Sequence, residues 1–132
     1  MMQYVTAEGT QGLCPAGWHL PSEGEYSVLS AFLGGSGAAG GPMKEAGTPH
    51  WASPNTGATN TSGFSGLPGG VRNYSNGAFS DLSNSGTLWS STSFTSGGFF
   101  FMKEYRLLNY DTSFLEFDTN LGYGVSVRCI KN

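Results

Sequence analysis

Two cysteines stand near the two ends of a 132-residue chain. Cys14 opens the stretch CPAGWHLPSEGEYSVL, and Cys129 lies in the closing VSVRCIKN. A chain of this length suits one domain rather than two. The residues alone leave open whether the cysteines are a bonded pair or two buried thiols.

The segments between them differ in character. GWHL, residues 17 to 20, reads as a short strand stopped by Pro21. PSEGEYSVLSAFLGG then reads as a helix. Ser22 is placed as N-cap, Glu23 and Glu25 sit in the first turn, and Ser22 with Glu25 has capping-box spacing. Tyr26, Leu29 and Leu33 line one face, with Val28 and Phe32 beside it, and Gly34 and Gly35 end the helix. From 34 to 87 the pattern breaks up. GGSGAAGGP reads as a loop, and Met43 to Ala46 as a short helix or turn. The rest is irregular, yet it holds Trp51, Phe64 and Leu67, which a solvated linker would not need. Four stretches then read as strands separated by polar turns: GTLWSSTS, GGFFFMKEYRLLNY, TSFLEFDT and GYGVSVRCIKN. In the last, Val125, Val127 and Cys129 share one face. The order is strand, helix, irregular loops and antiparallel sheet, an α+β domain.

Composition narrows the function classes. Only 11% of residues are charged, while glycines number 21, which reads as short strands, many turns and a weakly charged surface. Such surfaces are common on secreted and cell-surface proteins. The net charge is −3 and the six basic residues are scattered, so no basic patch awaits a nucleic-acid backbone. No apolar run approaches a membrane span, so no direct membrane insertion is expected. The abrupt opening MMQYVTAEGTQG, with its short apolar pair Tyr4 and Val5, reads as an edge strand or a lead-in. It is expected to continue from a longer protein whose upstream part would carry an export signal.

Four motifs occur in order: CPAGWHLPSEGEY, SGFSGLPGGVR, LWSSTS and YGVSVRC. Together they resemble the Fibrobacter succinogenes major paralogous domain, found repeatedly in secreted and surface proteins of Bacteroidetes and Fibrobacter. The resemblance runs from about Gly12 to Cys129, leaving residues 1–11 as a lead-in and 12–132 as the domain. It departs at Tyr26, where the family pattern has Trp. The resemblance implies a C-type lectin-like fold, with one main helix after the first strand, long irregular loops and a C-terminal antiparallel sheet. In that fold the two chain ends meet in one sheet, so a Cys14–Cys129 disulfide is implied, and with it an oxidising compartment. Two buried thiols remain the alternative. The fold mounts variable ligand-binding loops on a stable scaffold. Some relatives are variable proteins diversified by retroelements, with the varied residues before the final strand.

The residues do not assemble an enzyme. His19 sits between Trp18 and Leu20 and reads as structural, and His50 precedes Trp51 in the loops. Two histidines without ligand spacing make no zinc site. The fold resembled is shared by formylglycine-generating enzymes, whose reactive cysteines are absent. Calcium-dependent lectins pair acids and amides around a proline, and SPNTG (53–57) lacks the acid; Asp111, Glu116 and Asp118 are further acids that the turns would have to gather. No cofactor is expected. NTS (60–62) and NYS (73–75) match the glycosylation pattern and mark exposed turns.

The stretch from Phe94 to Leu121 carries the strongest functional signal, because aromatics alternate with small polar residues as in binding surfaces. The candidate ligand-binding residues are Phe94, Phe99, Phe101, Tyr105, Asn109, Tyr110, Asp111, Glu116, Asp118 and Asn120. Trp89, Phe100 and Phe114 read instead as core, and Asn109–Tyr110–Asp111 also as a hairpin turn. The expectation is a non-catalytic recognition or adhesion module of a secreted, surface-attached or phage-encoded protein, with a protein or glycan ligand. The alternatives are a structural spacer and a calcium-dependent carbohydrate-binding lectin. A retroelement-diversified variable protein would show its variation between about residues 90 and 124.

Overall fold

A computed structural model describes residues 7–132. Tyr4 and Val5 of the expected lead-in lie outside the described residues. The elements are β1 (Trp18–His19), α1 (Glu23–Phe32), α2 (Gly40–Met43), β2 (Val71–Arg72), β3 (Phe79–Ser80), β4 (Ser85–Ser96), β5 (Phe99–Leu108), β6 (Phe114–Asn120) and β7 (Ile130–Lys131). The domain is α+β with antiparallel sheets.

Helix α1 starts where its capping chemistry places it. Ser22 Oγ accepts the Glu25 N–H, and the Glu25 carboxylate accepts the Ser22 N–H at 2.8 Å. Gly34 and Gly35 follow with φ of 100° and 92°, a conformation that stops the helix without steric cost. The buried face is Tyr26 and Ser30, with Leu29 and Leu33 packed against the core. Val28 and Phe32 are exposed, so the apolar stripe is narrower than the sequence suggests.

The architectural centre is the sheet β4–β5–β6. One face carries Leu88, Tyr105, Leu107 and Phe114 and packs on Tyr26, Met43 and Trp51. Tyr26 meets Tyr105 with ring centroids 4.5 Å apart, and Phe114 at 5.5 Å. The other face carries Trp89 and Met102 and packs on Cys14, Leu20, Val125, Val127 and Cys129. The chain ends meet as the resemblance implies: β1 pairs with β7, and a Cys14–Cys129 disulfide closes 115 residues of sequence. The segment before β7 touches β4 through a bridge from Ser126 to Leu88 and β2 through one from Gly124 to Arg72, rather than as a full strand. Val125, Val127 and Cys129 nonetheless share the inward face.

Residues 44–70 are irregular but pinned. Lys44 is fully buried, and its ammonium donates to the carbonyls of Thr56, Leu108 and Asp111 at 2.7–2.9 Å. Burial holds its pKa below the ordinary lysine value, against the opposing pull of Asp111. Trp51 donates to the Gly66 carbonyl from the core. Asn55, after the cis Ser53–Pro54 bond, donates to Glu45 O and Gly47 O. The short second helix lies at Gly40–Met43, earlier than Met43 to Ala46. Its backbone runs so close to the 112–113 turn that a Cβ on Gly40 would lie 2.2 Å from Ser113 O. A hairpin, β2–β3, stands where the sequence showed only irregular chain.

Candidate functional site

Register decides where the candidate residues lie. Paired residues share a sheet face. Phe94 pairs with Phe101, and Phe101 with Asn120; Lys103 pairs with Asp118, Tyr105 with Glu116, and Leu107 with Phe114. Phe99, at an alternate position of β5, extends the same face. The alternation therefore brings Phe94, Phe99, Phe101, Tyr105, Glu116, Asp118 and Asn120 onto one side of the sheet.

Cover along that side is uneven. Helix α1 lies over the Tyr105 and Phe114 rows and stops short of the rest. Beyond it the Phe94 and Phe101 rings stack with centroids 5.6 Å apart, and Phe99 is 68% exposed. Lys103 Nζ reaches Glu116 Oε1 at 2.7 Å and Asp118 Oδ1 at 2.9 Å, and lies 5.5 Å from the Phe94 ring centroid. Those two carboxylates hold the Lys103 pKa above the ordinary range. The open end is thus an aromatic pair and one exposed ring beside a fixed ammonium and its acids.

Two candidates are corrected. Tyr105 is buried, its hydroxyl donating to Glu116 Oε2 at 3.0 Å, and burial raises its pKa. Asn109 is buried too; its backbone carbonyl accepts the Thr56 N–H at 2.7 Å, its backbone N–H donates to Asn84 O, and its side-chain amide donates to Ser53 O at 3.3 Å. Asp111 is a turn residue: its carboxylate accepts the Ser113 N–H at 2.9 Å, which holds its pKa low. Phe100 is also corrected, in the other direction: read as core, it is half exposed. Trp89 and Phe114 are buried as expected.

Tyr110 belongs elsewhere. It is 66% exposed and lines a groove of about 710 Å³ on the opposite side of the sheet, between β5–β6 and the β2–β3 hairpin. On the groove wall Arg106 bonds Glu104 Oε1 through Nε at 2.7 Å and through Nη2, while its guanidinium lies 4.5 Å from the Phe117 ring centroid. Glu104 is buried. Asp81, Asn73 and Tyr123 complete the far wall. The candidate set omitted Glu104, Arg106 and Phe117. The available signal was period two: Glu104 and Arg106 are opposite charges two apart in a strand, hence on one face.

Asp111 stands apart from the Glu116 and Asp118 pair. Among the described residues no group of three or more His, Cys, Asp or Glu side chains gathers to hold a metal ion. No described helix is long and apolar enough to cross a membrane.

The model of one protein family, described as the Fibrobacter succinogenes major domain, matches residues 2–131. No curated protein and no solved structure matches the chain.

Proposed function

The chain belongs to the Fibrobacter succinogenes major domain family, and from that premise we propose that it is a non-catalytic ligand-recognition module with a C-type lectin-like fold. The joined ends, the single main helix and the long pinned loops support that fold. The disulfide supports an oxidising setting, a secreted or surface-attached protein.

The observation that carries the reading is the sheet that outruns its cover. Phe94, Phe99, Phe101, Lys103, Asp118 and Asn120 stand together beyond α1. Exposed rigid rings flanked by fixed charges supply contact area at small entropic cost, with polar groups to set specificity. The ligand is a protein or glycan bound by contact, without chemistry on it.

The test is a binding survey of the oxidised domain against a glycan array and a panel of surface proteins, with and without calcium. A ligand should appear and weaken at least about tenfold in a Phe99→Ala, Lys103→Ala variant of unchanged melting temperature. Tyr105 is unsuited to such a test, because its loss would disturb the core. A ligand that binds only with calcium would favour the calcium-dependent lectin instead. A blank across both panels would favour the structural spacer.

A further inference from the structure

Strand β6 is the bare edge of the central sheet. It runs seven residues, and β5 is its strand partner among the described residues. Outside that pairing, backbone bonds from the described residues reach β6 only at its ends: the Phe114 N–H donates to Ser36 O, and Asn120 O accepts the Tyr123 N–H. Its outer rim of N–H and C=O groups is otherwise open among the described residues. Such a rim is a template for another strand.

What distinguishes this edge is a hollow on each side of it. On the helix side a hollow of about 410 Å³ lies between Ser27 and Ala31 of α1 and Phe114 of β6. On the other side lies the 710 Å³ groove with Arg106 and Phe117. Leu115 of β6 lines both. An added strand sends successive side chains to opposite faces. Laid along β6, it would drop one row into each hollow.

We propose that β6 is a strand-addition site for an extended peptide segment whose side chains alternate between apolar and basic. The helix-side hollow offers Ala31, Gly35 and the Phe114 ring, with serine hydroxyls at its rim and the Glu116 carboxylate already held by Lys103 and Tyr105, and suits short apolar side chains. The groove presents the carboxylates of Glu104 and Asp81 against the single guanidinium of Arg106. The excess of negative charge selects lysine or arginine and disfavours acidic or phosphorylated segments. Main-chain bonds to the rim supply affinity, and the two hollows supply specificity. A second copy of this chain is a poor occupant, because Glu116 and Asp118 on one β6 would face the same acids on the other. This site adjoins the open aromatic end of the sheet but does not use its rings.

The experiment is selection of random linear peptides on the immobilised, oxidised domain, followed by synthesis of the enriched sequences. Enriched peptides should alternate apolar residues with lysine or arginine. Bound peptide should slow amide hydrogen exchange along residues 115–119. Ala31→Arg, an exposed change that fills the helix-side hollow, should weaken binding at least about tenfold. Asp81→Asn, which preserves the residue's positive φ of 60°, should weaken basic peptides a few-fold and flatten their salt dependence. Val28→Arg on the outer face of α1 and Phe99→Ala on the sheet's open end should leave binding unchanged. No enrichment, unprotected β6 amides in the complex, or full affinity in Ala31→Arg would each overturn the proposal.

Discussion

The β4–β5 ladder has two ends of opposite character. From Ser85 to Ser91 strand β4 is buried at every residue, and at Thr95 and Ser96 it is exposed. Its partner β5 runs the other way, from exposed Phe99 and Phe100 to buried Leu107. The border is marked by a slip in register between Trp89 and Ser93. There the Ser91 N–H donates to Pro21 O, the Glu23 N–H to Thr92 Oγ1, and Ser90 Oγ to Lys103 O. The start of α1 is tied to the sheet at the point where the ladder breaks. Past it, the same alternation of Phe and polar residues continues with no described helix or strand packed over it. One pattern therefore yields core at one end and exposed rings at the other, and the difference lies in the covering layer.

The covered end should dominate stability, and substitution can measure by how much. Removing the disulfide by Cys14→Ala with Cys129→Ala releases a loop of 115 residues. The expected loss is about 4 kcal/mol in urea unfolding. A loss under about 1 kcal/mol would mean that the packed termini hold together without the bond. Phe114→Ala, at the covered end, should cost about 4 kcal/mol, whereas Phe99→Ala, on the same face at the bare end, should stay within about 0.5 kcal/mol. Equal costs would break the comparison. The two lysines make a matching pair. Lys44→Met strands three carbonyls that now accept from a buried ammonium, and should cost about 3 kcal/mol. Lys103→Met loses only two ion pairs at the open rim, together worth about 1 kcal/mol.

The sequence carried the local devices well. Ser22 and Glu25 specify the helix start by spacing alone, and the turn after Leu108 is readable in Asn109–Tyr110–Asp111. Period two on β5 and β6 even brought most of the aromatic and acidic candidates to one face. What it lacked was cover. Tyr105 and Phe101 look alike along the strand, and only the reach of α1, set by where its Ser22 cap starts it beside Thr92, separates core from surface. Asn109 was misjudged for a related reason: its side-chain amide donates to Ser53 O at 3.3 Å, distant in sequence. The groove was invisible because its far wall is the β2–β3 hairpin, whose short strands leave no periodic trace. Phe100 was taken as core because it is apolar. It lies past the register slip, where the terminal segments no longer reach.

The smallest expected effect concerns how the terminal layer is latched at the covered end. His19 in β1 sits between two oxygens: Nδ1 is 2.6 Å from Asn132 Oδ1, and Nε2 is 2.9 Å from Glu25 Oε1. A neutral imidazole donates from one nitrogen only, so the protonated ring serves both partners. The hydrogen bond to Asn132 raises the His19 pKa above its ordinary 6.5, with Glu25 adding to the rise against the cost of burial. Burial works to raise Glu25, but bonds from Ser22 and His19 outweigh it and hold its pKa below the ordinary 4.5. A raised base contributes fully below its unfolded pKa and loses its contribution as pH climbs through the folded value. A lowered acid contributes fully above its unfolded pKa and loses its contribution as pH falls through the folded one. The latch is therefore strongest between about pH 4.5 and 6.5. Comparing the parent with His19→Gln from about pH 4 to pH 8 should show a stability gap that is widest in that window and under about 1 kcal/mol. A gap that stays constant with pH would assign His19 a packing role alone and leave the terminal layer to the disulfide.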